Sequence, residues 1–323
     1  MNALYVRALI LVSFSFVAAC APQVKSASKP PPSAEKLSEL WQQPDDLTRR
    51  DLFHGPGGAP AVPVGDAPYT WVSTDTTGYS GGYEVRGADG RAWDVKIGPE
   101  AQSEVVASRV LWAMGYHQPA TYYVASWQLS GGPGGQQGGA RFRLDSPDEE
   151  VIGEWAWADN EFVGTQPYHG LIAANILINS WDWKTNNNRI YRIKNGTQSV
   201  RRYMVRDLGA SFGKTKSSRL LWVLPIPMRG FGQGSRNNID DFESQDFIER
   251  AGEGRVEFDF RTFYGSVVDL VRPPDVRWSS GLLARLTDSQ WDDAFRAAGY
   301  APEVRARFIR KIKAKIAEGL AVS

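Results

Sequence analysis

The sequence predicts an α+β fold in which a β-meander precedes a mainly helical half, and three observations carry that expectation. Strand-like runs "YTWVST", "GYEVRG" and "AWDVKIG" follow one another from Tyr69, joined by the turn signals "TTGYSGG" and "GADG". A helical pattern comes next. Pro99 and Glu100 open "PEAQSEVVASRVLWAMG", in which Val105, Val106, Val110, Leu111 and Met114 recur near helical spacing, so the helix is expected to bury one face on the meander and to stop at Gly115. The chain then closes with two helices, one from the capping box Thr287–Gln290 to Gly299 and one from about Pro302 to Glu318.

The length, 323 residues with 42% hydrophobic content, allows a substantial core in one large domain or two small ones. Lys and Arg number 37 against 36 Asp and Glu, so no bulk attraction to nucleic acid is expected. His54, His117 and His169 lie far apart and Cys20 is the single cysteine, which excludes a Cys/His zinc site and a disulfide framework. A metal, if used, is held by oxygen.

At the N-terminus Arg7 precedes the apolar run Ala8–Ala19, too short to span a bilayer as a helix, and the segment reads as an export signal. Its end, Val17-Ala18-Ala19-Cys20, resembles a bacterial lipoprotein signal. That resemblance implies cleavage after residue 19 and lipidation of Cys20; the alternative is an ordinary secretory signal with an incidental cysteine. Ala21 stands where, in the Gram-negative families this resembles, an aspartate commonly retains a lipoprotein at the inner membrane. The resemblance therefore implies a lipid anchor in the outer membrane, facing the periplasm or the exterior.

The expected organisation is a signal peptide over 1–19, a flexible tether over 20–36, an N-terminal extension over 37–68, a small lobe over 69–157 and a large lobe over 158–323. The extension carries a short helical pattern at Leu37, Leu40 and Trp41 and then "HGPGGAPAVP", a loop without the Gly-Lys-Ser/Thr ending of a phosphate loop. Beyond the helix lie a β-rich run, Ala120–Leu129, a glycine-rich stretch, Gly131–Gly139, that reads as a flexible insertion, and a strand and linker over 150–170. The apolar helix Leu171–Ile178 leads into "WDWKTNNNRIY", and a short strand leads into Arg206-Asp207-Leu208-Gly209. The 12 tryptophans are scattered among these elements, which favours burial over a carbohydrate-stacking surface. The last helix carries Arg305, Arg307, Arg310, Lys311, Lys313 and Lys315 over an apolar stripe of Val304, Phe308, Ile312 and Ile316. It reads as a solvated face, with anionic lipid headgroups as the rival partner.

The order of these elements resembles the protein-kinase-like superfamily. That resemblance implies a two-lobed fold, with a β-meander small lobe and a mainly helical large lobe. The turn Gly78, Gly81, Gly82 would cover nucleotide phosphates, Lys96 would contact them and Glu104 would hold that lysine. Asp182-Trp183-Lys184-Thr185-Asn186-Asn187 matches D-x-K-x-x-N, in which Asp182 meets the acceptor hydroxyl, Lys184 the transferred phosphoryl group and Asn187 a magnesium ion. Asp207-Leu208-Gly209 is similar to the Asp-Phe-Gly element, so Asp207 would also ligate Mg2+. The glycine turn is looser than GxGxxG, and Ser180-Trp181 replace the usual His-Arg. Those departures bring the chain closer to atypical families of spore-coat, toxin-type and lipid-kinase-like relatives.

The implied cofactors are ATP, or another nucleoside triphosphate, and Mg2+. The implied acceptor is a protein, a glycan or a small molecule. The segment after Gly213 takes the place of an activation segment. A lipoprotein beyond the inner membrane would normally meet no ATP, so a non-catalytic binding or scaffolding module at the cell envelope is the alternative to a phosphotransferase.

Overall fold

The computed structural model describes residues 30–65, 67–76, 79–215, 234–262 and 264–323. The signal segment, Cys20, most of the tether and Gly78 lie outside these residues, as does the middle of the stretch that follows Gly213.

A short helix α1 (Ala34–Leu37) opens the described chain, ahead of the Leu40 and Trp41 at which the sequence pattern placed it. The three predicted strands form as β1 (Tyr69–Asp75), β2 (Gly82–Arg86) and β3 (Ala92–Ile97), followed by helix α2 (Glu100–Ala113). The run at 120–129 divides into β4 (Thr121–Val124) and β5 (Trp127–Ser130). The glycine-rich stretch is no loose insertion, because Gly135–Gln137 (β6) pairs with β5 through backbone groups that need no side chain. Strand β7 (Ala140–Asp145) completes a seven-stranded sheet in the order β4-β7-β3-β2-β1-β5-β6. The β1–β5 pair is parallel, and β1 carries a register shift between Trp71 and Ser73.

The two faces of this sheet differ in chemistry. On β3 and β7 the alternate residues Trp93, Val95 and Phe142 join Tyr69, Tyr122, Trp127 and Leu129 in an aromatic core, with Trp127 and Phe142 ring centroids 5.1 Å apart. The intervening residues Asp94, Lys96, Arg141 and Arg143 belong to the opposite face, beside α2. Glu104 of α2 is ion-paired to the last three of these. Helix α2 is consequently not the one-faced amphipathic helix its pattern suggested. Twelve of its residues, from Glu100 to Ala113, are buried. Its C-terminal end is covered by the extension, where Trp41 Nε1 donates to the Met114 carbonyl at 2.7 Å and Arg50 donates to the Trp112 carbonyl at 2.8 Å. On the side of the large lobe, Gln102 Nε2 donates to the Ala298 carbonyl at 3.1 Å.

Three strands, β8 (Glu149–Gly153), β9 (Asn188–Asn195) and β10 (Gln198–Val205), form a second sheet in the order β10-β9-β8. The apolar helix appears as α3 (Gln166–Leu177), started by the Thr165 side chain on the Tyr168 amide. The rest of the large lobe comprises α4 (Ile239–Glu243), the hairpin β11 (Ile248–Gly252) and β12 (Arg255–Phe258), α5 (Gly265–Val268), α6 (Pro273–Leu283), α7 (Asp288–Ala297) and α8 (Pro302–Ala321). Helix α7 has the predicted Thr287/Gln290 capping box. Tryptophans 155, 157, 181, 183 and 291 are buried in the larger core, as the structural reading of that residue type expects.

Candidate nucleotide and catalytic site

Lys96 is placed by the pairing of β3 with β7, which sets Lys96 opposite Arg141 and Asp94 opposite Arg143. The Lys96 ammonium lies 2.8 Å from Glu104 Oε2 on α2, 2.8 Å from Asp207 Oδ1 and 3.6 Å from Glu100 Oε2. Glu104, only 1% exposed, is also ion-paired through Oε1 with Arg141, whose Nε stands 3.0 Å away, and with Arg143. Three cations around one buried carboxylate would be a poor trade for stability alone, because desolvation opposes each ion. Burial pushes the Glu104 carboxyl up, and Arg141, Lys96 and Arg143 reverse this and hold it below the usual carboxylate range. For Lys96 burial acts downward, and Glu104 and Asp207 override it to leave the ammonium more basic than usual.

The Asp-Leu-Gly element is docked on the same helix. Ser103 Oγ donates to the Gly209 carbonyl at 2.7 Å, and a Cβ at Gly209 would lie 2.7 Å from the Glu100 Cβ, so only glycine fits. Asp207 Oδ1 accepts from the Gly209 amide at 3.3 Å as well as from Lys96. Burial raises the Asp207 carboxyl, but Lys96, with Arg143 and that amide, more than compensates and keeps it well below the carboxylate range.

The loop after α3 folds into a single turn over Thr185–Asn187. Asn187 Nδ2 donates to the Asp182 carbonyl at 2.7 Å, and the Asn187 carbonyl accepts from the amides of Arg206 and Asp207 at 2.9 and 3.1 Å. One residue thereby fastens the Asp182 loop to the Asp207 turn. Its amide nitrogen is used on the Asp182 carbonyl, which leaves Oδ1 as the side-chain atom with ligand chemistry. Lys184 Nζ is paired with Asp182 Oδ2 at 2.8 Å, on a side chain 66% exposed. Beneath the loop, Trp183 stacks on Trp157 with centroids 4.8 Å apart.

Lys96, Glu104 and Asp207 are thus brought into contact, and Asp182, Lys184 and Asn187 share one loop joined to Asp207 through backbone. Of the glycine turn, Gly81 and Gly82 sit beside Lys96. The Gly81 carbonyl accepts from the Ile97 amide at 2.9 Å, and Gly82 pairs with Lys96 in the sheet. A Cβ at Gly82 would stand 2.2 Å from the Val95 carbonyl oxygen, which explains the glycine by strand packing. The residues between this turn and the helix were not singled out by the sequence. They include Glu100, Arg141, Arg143, Asp94, Arg206 and Arg236. A signal for three of them existed, because Asp94 in "DVK" on β3 and Arg141 and Arg143 in "RFR" on β7 are complementary charges at period two.

The donors fit Mg2+. Asp207 offers a carboxylate and Asn187 a carboxamide oxygen, both hard donors on segments hydrogen-bonded to each other, and Mg2+ completes its shell from phosphates and water. No cluster of three or more His, Cys, Asp or Glu side chains suited to a metal occurs among the described residues.

No protein-family model matches the chain, and no curated protein matches it. Among solved structures it is similar to the crystal structure of a Helicobacter pylori proinflammatory kinase, CtkA. The TM-score is 0.44 at 9% identity, covering 80% of this chain and 94% of that one. The fold is α+β: a seven-stranded sheet with one helix forms the small lobe and a mainly helical C-terminal part forms the large one.

Proposed function

We propose that the chain is a metal-dependent phosphotransferase that uses ATP or another nucleoside triphosphate. The observation that carries this reading is the Lys96 ammonium, 2.8 Å from both Glu104 and Asp207, which joins a strand, a helix and the Asp-Leu-Gly turn at one point. On this reading Lys96 holds phosphate oxygens while Glu104 keeps the lysine aimed. Asp207 and Asn187 hold Mg2+, which when bound neutralises charge on the phosphates. Asp182 accepts the proton of the acceptor hydroxyl, and Lys184 leaves Asp182 for the phosphoryl group once substrate arrives. The acceptor is a protein, glycan or small molecule. Cys20 would carry the lipid that places the domain at the cell envelope.

The test is phosphotransfer or nucleotide hydrolysis by the full chain. Asp182→Asn should lower turnover by roughly a hundredfold or more while sparing nucleotide binding. Nucleotide binding by the wild type with no turnover would instead favour the non-catalytic binding module.

A further inference from the structure

Arg236 follows the Asp-Leu-Gly turn in the chain and is fixed beside the site by backbone bonds of its neighbours. The Asn237 and Asn238 amides donate to the carbonyls of Ser211 and Phe212 at 2.9 and 2.8 Å. Trp181 Nε1 donates to the Ser235 carbonyl at 2.9 Å. From this position the Arg236 guanidinium lies against the glycine turn, α2 and the residue before Asp182. Its carbon stands 3.6 Å from the centroid of the Tyr79 ring, beside the glycine turn, and 5.0 Å from that of Trp181, the residue before Asp182. Its NH1 lies 3.2 Å from Glu100 Oε1.

Glu100 connects this guanidinium to the candidate phosphate site. Its other oxygen, Oε2, accepts from Ser80 Oγ at 2.8 Å and stands 3.6 Å from the Lys96 ammonium. Arg236 and Lys96 therefore occupy the two oxygens of one carboxylate. The other arginines nearby pair with other carboxylates. Arg141 and Arg143 pair with both Glu104 and Asp94, and Arg206 pairs with Asp94. Lys96 itself faces three carboxylates, so it is over-matched before any phosphate arrives. The Arg236 side chain is 9% exposed, and its Nε and NH1 have no hydrogen-bond partner among the described residues, whereas of Arg141, Arg143 and Arg206 only the Nε is left so. A buried guanidinium N–H without an acceptor is costly to keep and is the donor geometry that recognises phosphate.

We infer that Arg236 is a second triphosphate-binding cation, held between Tyr79 and Trp181 and paired across Glu100 with Lys96. The inference rests on the nucleotide-binding reading above. It assigns to the terminal phosphates a contact from outside the D-x-K-x-x-N and Asp-Leu-Gly elements. Because the aromatic faces orient the guanidinium, a lysine at this position would keep the charge and lose part of the effect.

The experiment measures dissociation constants of the full chain for Mg–ATP, magnesium tripolyphosphate and adenosine. Four proteins are compared: wild type, Lys96→Met, Arg236→Ala and Arg236→Lys. Arg236→Ala should weaken both triphosphates by about tenfold or more and leave adenosine within about twofold, with Arg236→Lys in between. The unliganded melting temperature of each variant reports its folding, and Arg236→Lys serves if the alanine variant does not fold. Equal loss for adenosine and ATP, or no loss for either triphosphate while Lys96→Met loses them, overturns the role of Arg236 and leaves the nucleotide reading intact. Absence of triphosphate binding in the wild type overturns both.

Discussion

Two regions of the molecule are equally dense in charge and use it in opposite ways. Around Lys96 the ions are buried between the small-lobe sheet and α2, with Glu104 at 1% exposure and Lys96 at 13%. Along α8 every pair has at least one partner exposed to solvent. Arg305 meets Asp292 at 2.5 Å, Arg307 meets Asp240 and Glu243 at 2.6 and 2.5 Å, Arg310 meets Glu243 at 3.2 Å and Lys311 meets Asp246 at 3.3 Å, while Lys313 pairs with Asp288. The α8 charges are neutralised within the chain, which supports a solvated face over a lipid-binding one. Surface pairs contribute little to stability, and buried ones are costly to assemble. A buried cluster of paired charges with displaced acidities is the kind of arrangement from which a ligand site is proposed, and the surface pairs of α8 are not.

The largest expected effect breaks the buried side of this comparison. Glu104→Gln removes the most buried of the carboxylates that balance Lys96, Arg141 and Arg143, so the unfolding free energy should fall by about 3–5 kcal/mol. Urea denaturation at pH 7 checks it. Glu104, Asp207 and Asp94 are all held below the usual carboxylate range in the folded state, with burial opposing and their Lys and Arg neighbours prevailing. Their contribution is complete above the ordinary carboxylate value near 4 and is lost as pH falls below it, which an acid titration of stability reads.

A smaller effect comes from the one basic residue of α8 that behaves like the cluster. Lys315 is 0% exposed, with Nζ 2.9 Å from Asn179 Oδ1 and 4.5 Å from the centroid of the Phe242 ring. Burial lowers it to about 7, with Lys311 adding to the shift and Glu318, Asp259 and Asp246 opposing it. The unfolded chain holds this proton up to about pH 10.4, so between pH 7 and that value the unfolded state binds more protons and stability rises with pH. Lys315→Met should flatten that rise in melting temperature against pH. At the small end, Arg310→Ala, which removes a side chain 69% exposed, should leave the melting temperature unchanged within error.

Much of this contrast was legible in the sequence, though not its sign. The meander, α2, α3 and the two closing helices followed from periodicity and caps, and the D-x-K-x-x-N loop followed from spacing. Lys315 reads as one more cation in a basic run, yet it falls on the stripe of Phe308, Ile312 and Ile316 at helical spacing, and that stripe is what buries it. The pairing of "DVK" with "RFR" needed the strand register, which period-two patterns do not supply across distant segments. Arg236 was hidden for another reason. Its contact with Tyr79 joins distant segments through a stretch with no periodicity, and no local rule places such a residue there.

The central claim is that the Lys96 cluster binds the phosphates of a nucleotide together with a divalent cation. Its most direct test is calorimetric titration of the full chain with ATP, with and without Mg2+, for wild type, Lys96→Met and Asp207→Asn. The account predicts saturable binding by the wild type that strengthens with Mg2+, loss of binding in Lys96→Met, and loss of the Mg2+ dependence in Asp207→Asn. Absence of binding by the wild type, or identical isotherms for the three proteins, would contradict it.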